Sequence, residues 1–228
     1  MPSQVSAERI ILTVVSVVLV MISAVLHELG HAVMALRLGD DTAQKAGRIT
    51  LNPLAHIDRF GSIILPLVMG LAGGPIFAFA KPVPYNPNKL RNPERDEVLV
   101  ALAGPAANIL QACVGALVCR LLWHFGNKEI AAQGPLYWVY VVFALYVNVN
   151  CTLAFFNLIP LPPLDGSAII SPLLKGEARR QYYIIQRYSL PILMVLLYAI
   201  PMVLHIDPLG MYLNATADKL ANFLLGWS

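Results

Sequence analysis

From Ile10 to Leu26 the chain reads IILTVVSVVLVMISAVL without one charged residue, and it then enters His27-Glu28-Leu29-Gly30-His31 with no turn signal between. A run of this length approaches the ~20 apolar residues that cross a bilayer. In lipid every backbone polar group must be satisfied within the segment, so the run is constrained to be a helix. That helix must also carry two histidines and a glutamate near its end. Residues four apart share a helical face, so His27 and His31 can grip one metal ion. Glu28 then projects beside the ion, placed to move a proton on water there. Ionisable groups at such depth are costly, which makes a functional role the first hypothesis for them.

The rest of the chain is of the same kind. It is 228 residues, 57% hydrophobic and 13% charged, with a mean hydropathy of +0.65. Soluble domains carry about 25% charged residues, so the composition predicts a polytopic membrane protein. No polar stretch reaches the ~50 residues of a folded accessory domain, so residues 1–228 are expected to form one membrane-embedded domain. The first segment lacks a basic n-region and an A-x-A-like exit, so it is expected to remain in the mature chain. The net charge of +3 makes no case for nucleic acid. Cys113, Cys119 and Cys151 sit in apolar segments without C-x-x-C spacing and read as small buried hydrophobes.

Apolar periodicity predicts helices at about Glu8–Leu38, Glu97–Trp123, Pro135–Leu158 and Tyr188–His205, giving four principal spans. The last of these contains Pro191 and Pro201. Beyond Asp207-Pro208, charged Asp218 and Lys219 lie among Leu213, Leu220, Phe223, Leu224 and Trp227. That mixture suits an interfacial helix or a weak final span. Gly47–Leu51 and Ile76–Val83 read as extended.

Gly61–Ala80 is apolar but broken by Pro66, Gly70, Gly73, Gly74 and Pro75. Arg37, Lys45, Arg48 and Arg59 precede it, and Lys81, Lys89, Arg91 and Arg95 follow. One crossing would put these two basic groups on opposite sides, against the positive-inside tendency. The segment is therefore expected to be re-entrant or peripheral, with the N-terminus outside and HELGH in the inner half of the membrane.

A hydrolytic zinc site needs three protein ligands and one open position. The best third candidate is Asp165, in Asn157-Leu158-Ile159-Pro160-Leu161-Pro162-Pro163-Leu164-Asp165-Gly166 after an apolar helix. Its prolines break that helix, and Gly166 permits close approach of chain or substrate. Asp165 is equally a favoured helix N-cap. Asn148 and Asn150 read as helix-packing residues, and His56 as a turn residue or a rival ligand.

HELGH at the end of one membrane helix, N-L-I-P-L-P-P-L-D-G after a later one, and Ala103-Gly104-Pro105-Ala106-Ala107-Asn108 between them resemble the site-2 protease family. These motifs span Val25 to Gly166. The resemblance implies an all-α membrane protein with a three-helix core, here about residues 8–175, plus additional helices at about 188–228 and short extended or re-entrant segments. It implies His27, His31 and Asp165 as ligands of one Zn2+ ion and Glu28 as general base and acid. Asn108 would support substrate or a developing oxyanion, unless it only joins helices by a hydrogen bond. Asn157 and the proline-rich loop would bind unwound substrate. Apart from the resemblance, an open edge at Ile76–Val83 is a candidate to pair with the released segment. The implied activity is intramembrane cleavage of transmembrane segments, in a compact form without PDZ or CBS domains. The expected setting is a prokaryotic cell membrane with the site toward the cytoplasm. The substrate, the oligomeric state and the trigger stay open. A divalent-metal transporter and an inert client-binding relative are the rival readings.

Overall fold

The computed structural model describes residues 7–58, 64 and 81–226. Helix α1 runs over Ala7–Arg37, and the short α2 over Thr42–Lys45. After 3-10 turns at Pro53–His56 and Pro87–Lys89 come α3, Pro93–Ala131, and α4, Pro135–Asn157. Shorter helices follow: α5 (Asp165–Ile170), α6 (Gly176–Arg187), α7 (Ser189–Met194), α8 (Ile200–Leu204), α9 (Pro208–Ala215) and α10 (Ala217–Leu225). No strand occurs among the described residues. The protein is an all-α polytopic membrane protein, and α1, α3 and α4 are each long and apolar enough to cross a bilayer.

Two of the expected helices are found almost at the expected bounds, and α3 is longer. Its polar first turn, Pro93-Glu94-Arg95-Asp96, carries no apolar periodicity. It is instead a helix start written in capping chemistry. Proline occupies the first turn, and the Asn92 N–H donates to Asp96 Oδ2 across 2.9 Å.

The fourth expected span winds continuously from Ser189 to Leu204 but is not regular α-helix throughout. Tyr188–His205 is divided into α7, a π turn at Val195–Ala199, and α8. Pro201 lacks the N–H that would continue the helical ladder, so the chain changes winding before it. The C-terminal stretch also differs from a lone interfacial helix. Ala217, Ala221 and Leu225 form one stripe of α10 and are buried against Ala112, Ala116 and Cys119 of α3 and Ala144, Val147 and Cys151 of α4.

The hydrogen bonds between helices fix their directions. His31, His27 and Ser23 of α1 meet Val100, Asn108 and Gln111 of α3 in reverse order. Asn108, Gln111 and Cys119 of α3 meet Asn150, Tyr146 and Tyr140 of α4, again reversed. Thus α1 and α4 run parallel, and both end on the same side. The C-terminus of α1 and the N-terminus of α3 also share that side, where the Arg91 N–H donates to Leu38 O across 3.3 Å.

Gly61–Ala80, apart from Ile64, lies outside the described residues, as does most of the expected extended stretch Ile76–Val83. The residues flanking it are described. The Lys81 N–H donates to His56 O across 2.9 Å, and Arg48 Nη2 donates to Lys81 O across 2.8 Å. Arg37, Lys45 and Arg48 therefore lie on the same side as Lys81, Lys89 and Arg91.

Small residues let the spans approach closely. At the α1–α3 crossing, a Cβ on Gly30 would sit 2.7 Å from Ala103 O and 3.1 Å from Ala107 Cβ. Backbone is the obstacle, so a side chain there cannot simply turn aside. Gly30→Val is expected to destabilise the protein by about 1–3 kcal/mol through overpacking. That exceeds the gain of about 0.3–0.5 kcal/mol from better helix propensity. Thermal unfolding in detergent will register it as a lowered Tm.

Candidate metal centre

His27 and His31 are successive members of one α1 face, one helical turn apart. Each imidazole is oriented through its Nδ1. His31 Nδ1–H donates to the Val100 carbonyl across 2.7 Å, and His27 Nδ1–H donates to Asn108 Oδ1 across 2.5 Å. A neutral imidazole with its proton on Nδ1 presents a bare lone pair at Nε2. The two Nε2 atoms face one another at 3.1 Å.

Asp165 approaches the same point from the opposite direction. It opens α5, after a loop whose prolines end the α4 winding. The Ser167 N–H donates to Leu164 O and the Leu164 N–H to Leu161 O, which closes the turn. A Cβ on Gly166 would overlap the carbonyl oxygens of Leu158 and Ile159, so only glycine lets this turn fold back on the end of α4. Asp165 Oδ2 then lies 3.1 Å from His27 Nε2, and Oδ1 lies 3.3 Å from His31 Nε2.

This geometry tests whether the residues fit a metal. Two imidazole lone pairs and a carboxylate converge, and Asp165 Oδ2 is buried without a hydrogen-bond partner. Three acceptors at such separations repel unless a cation lies among them. Ligands about 2.0–2.2 Å from a tetrahedral zinc ion are about 3.3–3.6 Å apart. The two Nε2 atoms and one carboxylate oxygen from Asp165 all lie within 4.8 Å of one another, each imidazole facing a different carboxylate oxygen, so the donor set is of the kind and compactness that a zinc ion takes.

Asn108 is fully buried and both ends of its amide are engaged. Oδ1 accepts from His27, and Nδ2 donates to Asn150 Oδ1 across 2.9 Å. Asn150 Nδ2 in turn donates to the Tyr146 carbonyl across 2.9 Å. The chain His27–Asn108–Asn150 thus links α1, α3 and α4 and sets the His27 tautomer. Glu28 is half-buried beside the pair, and its Oε2 accepts the Val83 N–H across 2.8 Å. Asn157 ends α4, where its Nδ2 donates to Leu153 O one turn back. His56 is buried in its 3-10 turn with Nε2 3.0 Å from Thr50 O, and Asn148 Nδ2 donates to Ala144 O.

Sequence reasoning named Gly104 only as part of the Ala103–Asn108 motif and gave it no role of its own. A Cβ there would overlap the His31 imidazole and come within 2.6 Å of His27 Cε1. The signal available was a glycine four residues before a buried asparagine in an otherwise helical run. Val83 was named only as the end of an edge expected to pair with substrate; that its N–H goes to Glu28 has no sequence signature.

Most of the chain matches one family model, described as Peptidase family M50, over residues 15–134 and 124–200. The chain belongs to the M50 peptidases, the site-2 protease family. This M50 chain is 36% identical over 209 residues to "Putative zinc metalloprotease YwhC" of Bacillus subtilis, covering 90% of this chain and 88% of that protein. It is 31% identical over 177 residues to "Putative zinc metalloprotease Rip2" of Mycolicibacterium smegmatis, covering 78% of this chain and 64% of that one. An archaeal relative, "Putative zinc metalloprotease MJ0611" of Methanocaldococcus jannaschii, is 26% identical over 161 residues, 71% of each chain. No solved structure matches significantly. As an M50 chain with three spanning helices it is an integral membrane zinc metalloprotease by family.

Two substitutions probe the centre apart from turnover. Gly104→Ala is expected to lower bound zinc in the purified protein, because the new methyl occupies the space of both imidazoles. Asn108→Ala, which frees His27 Nδ1, is expected to weaken zinc affinity about 10–100-fold, measurable by competition with a chelator.

Proposed function

We propose that this chain hydrolyses peptide bonds within or near transmembrane segments of other membrane proteins. The convergence of His27 Nε2, His31 Nε2 and Asp165 beside Glu28 carries the reading. His27, His31 and Asp165 would hold one zinc ion, which when bound supplies Lewis acidity toward water and a peptide carbonyl.

The side chains divide the remaining work. Glu28 takes a proton from the attacking water as the new C–O bond forms, and returns it to the amine nitrogen as the C–N bond breaks. Asn108 holds His27 in register and belongs to the metal centre, while Asn157 and the Pro160–Pro163 loop are the substrate-side candidates. A helical substrate hides its carbonyls in hydrogen bonds, so it must unwind before attack. Because Val83 already gives its N–H to Glu28, substrate pairing in this region falls to other backbone groups.

The setting follows from charge. Arg37, Lys45, Arg48, Lys81, Lys89 and Arg91 share the side on which HELGH lies, so this side is assigned to the cytoplasm and the N-terminus to the outside. A single membrane-embedded domain in a prokaryotic cell membrane, acting in regulated intramembrane proteolysis, is the fuller proposal. Membrane-tethered regulators and leftover signal peptides are the substrate classes to try first.

Glu28→Gln is the deciding variant. It is expected to retain zinc while cleavage of a membrane-helix reporter in proteoliposomes falls by about 10²–10⁴-fold. Undiminished cleavage would overturn the assigned mechanism, and zinc flux that survives the change would favour a transporter. Asp165→Ala is expected to lower zinc content; an unchanged content would remove Asp165 from the ligand set.

A further inference from the structure

The segment Lys81-Pro82-Val83-Pro84 has one backbone N–H between Lys81 and Tyr85, that of Val83, because proline has none. That donor goes to Glu28 Oε2 at 2.8 Å. Its position is set independently of Glu28. On one side Lys81 is tied through its N–H to His56 O and through its carbonyl to Arg48 Nη2. On the other, the Asn86 N–H donates to Asp40 Oδ2 across 2.6 Å.

Asp40 is fully buried at the turn after α1, where its Oδ1 also receives the Thr42 N–H and hydroxyl. Burial works against its charge, but the Thr42 hydroxyl and the Asn86 and Thr42 N–H groups outweigh that cost, and Lys89 adds to them. The carboxyl is held below its ordinary range, so this tie stays ionised near neutral pH. Between the two ties the Val83 side chain is buried with Ala32 of α1 and Ala43 of α2. Two prolines and two flanking ties therefore present one N–H to one carboxylate.

We propose that the Val83 N–H is a positioning donor for Glu28, holding Oε2 so that Oε1 is the oxygen that exchanges the proton during hydrolysis. The inference rests on the assignment of Glu28 as base. A glutamate's terminal torsion is broad and soft, and one fixed donor removes that freedom. The contact is charge-assisted, the stronger class of hydrogen bond. Val83 itself touches neither metal nor substrate in this role. It acts through Glu28, and through its backbone alone.

The test compares Val83→Pro, Val83→Ala and Glu28→Gln in the full chain, in proteoliposomes with a membrane-helix reporter. Val83→Pro deletes the N–H in a stretch already shaped by prolines, while Val83→Ala keeps it and trims the packing. The expected result is a kcat reduced about 10–100-fold in Val83→Pro, with KM and zinc content unchanged and Val83→Ala within about threefold of the parent. If Val83→Pro loses zinc, the α-hydroxyvaline ester at position 83 replaces it, deleting the N–H while keeping the side chain. An unchanged kcat in the N–H-deleted protein overturns the proposal. So does a raised kcat, which would mark the contact as a brake, and so does an equal loss in Val83→Ala. If Glu28→Gln itself cleaves normally, the assignment of the base fails instead. If Glu28→Gln is inactive and the N–H-deleted protein is fully active, only the positioning role fails.

Discussion

Two imidazole nitrogens about 3 Å apart, each as close to an oxygen of one carboxylate, repel one another, and the helix packing of this protein keeps them there. The nitrogens come from consecutive turns of α1 and the carboxylate from the first residue of α5, far along the chain. Nothing local brings them together. What does is the antiparallel packing of α3 between α1 and α4, which leaves the ends of α1 and α4 on one side of the membrane. Asp165, just beyond α4, then has only the short proline-rich loop to travel.

Lipid gives little hydrophobic driving force for helices to associate, so packing and hydrogen bonds must supply it. Both are concentrated near the centre. Gly30 and Gly104 bring α1 and α3 close enough for the Val100 carbonyl to reach His31. Asn108 and Asn150 then extend the contact to α4. An unpaired amide in this environment would cost several kcal/mol by transfer estimates, so His27, Asn108 and Asn150 each satisfy the next. The hydrogen bonds that associate the helices are thus the same ones that orient the ligands. A polar group that a membrane protein must satisfy anyway, the Asn108 amide, is satisfied by a candidate metal ligand, His27.

Much of this was legible in the sequence for a physical reason. Metal ligands and bases are side chains of few types, and lipid permits few backbone solutions, so the candidates His27, Glu28 and His31 and the one helix that carries them could be named from the sequence, and the structure brings His27 and His31 together with Asp165. Asp165 came from the prolines and glycine around it. Helix ends were read less well where the signal is polar, as in the Pro93–Asp96 turn, or where proline divides an apolar run, as at Pro201. Gly104 and Val83 were named only within longer segments, and their roles went unread because what matters there is an absent side chain and a backbone N–H. Neither has a hydropathy or a charge to find. Asn108 was noticed but weighed as either helix glue or a substrate contact. Its actual partners, His27 on one side and Asn150 on the other, depend on helix directions that composition does not give.

The topology argument from charge and the packing argument from hydrogen bonds are independent, and their agreement constrains the part of the chain around the centre. Lysine and arginine counts alone place Arg37, Lys45 and Arg48 with Lys81, Lys89 and Arg91 on one side. The backbone contacts Lys81–His56 and Arg91–Leu38 place the same groups together without reference to charge. The turn after α1 and the approach to α3 therefore form one cap over the end of the helix that carries HELGH. Within that cap the ties run from Arg48 and His56 to Lys81, from Glu28 to Val83 and from Asp40 to Asn86. Glu28 is the only one of these anchoring residues that lies within a spanning helix. The cap is fastened to the membrane core at several points, through the Glu28 carboxylate and through the packing of Val83 on Ala32 and of Leu90 on Ala35 and Val100.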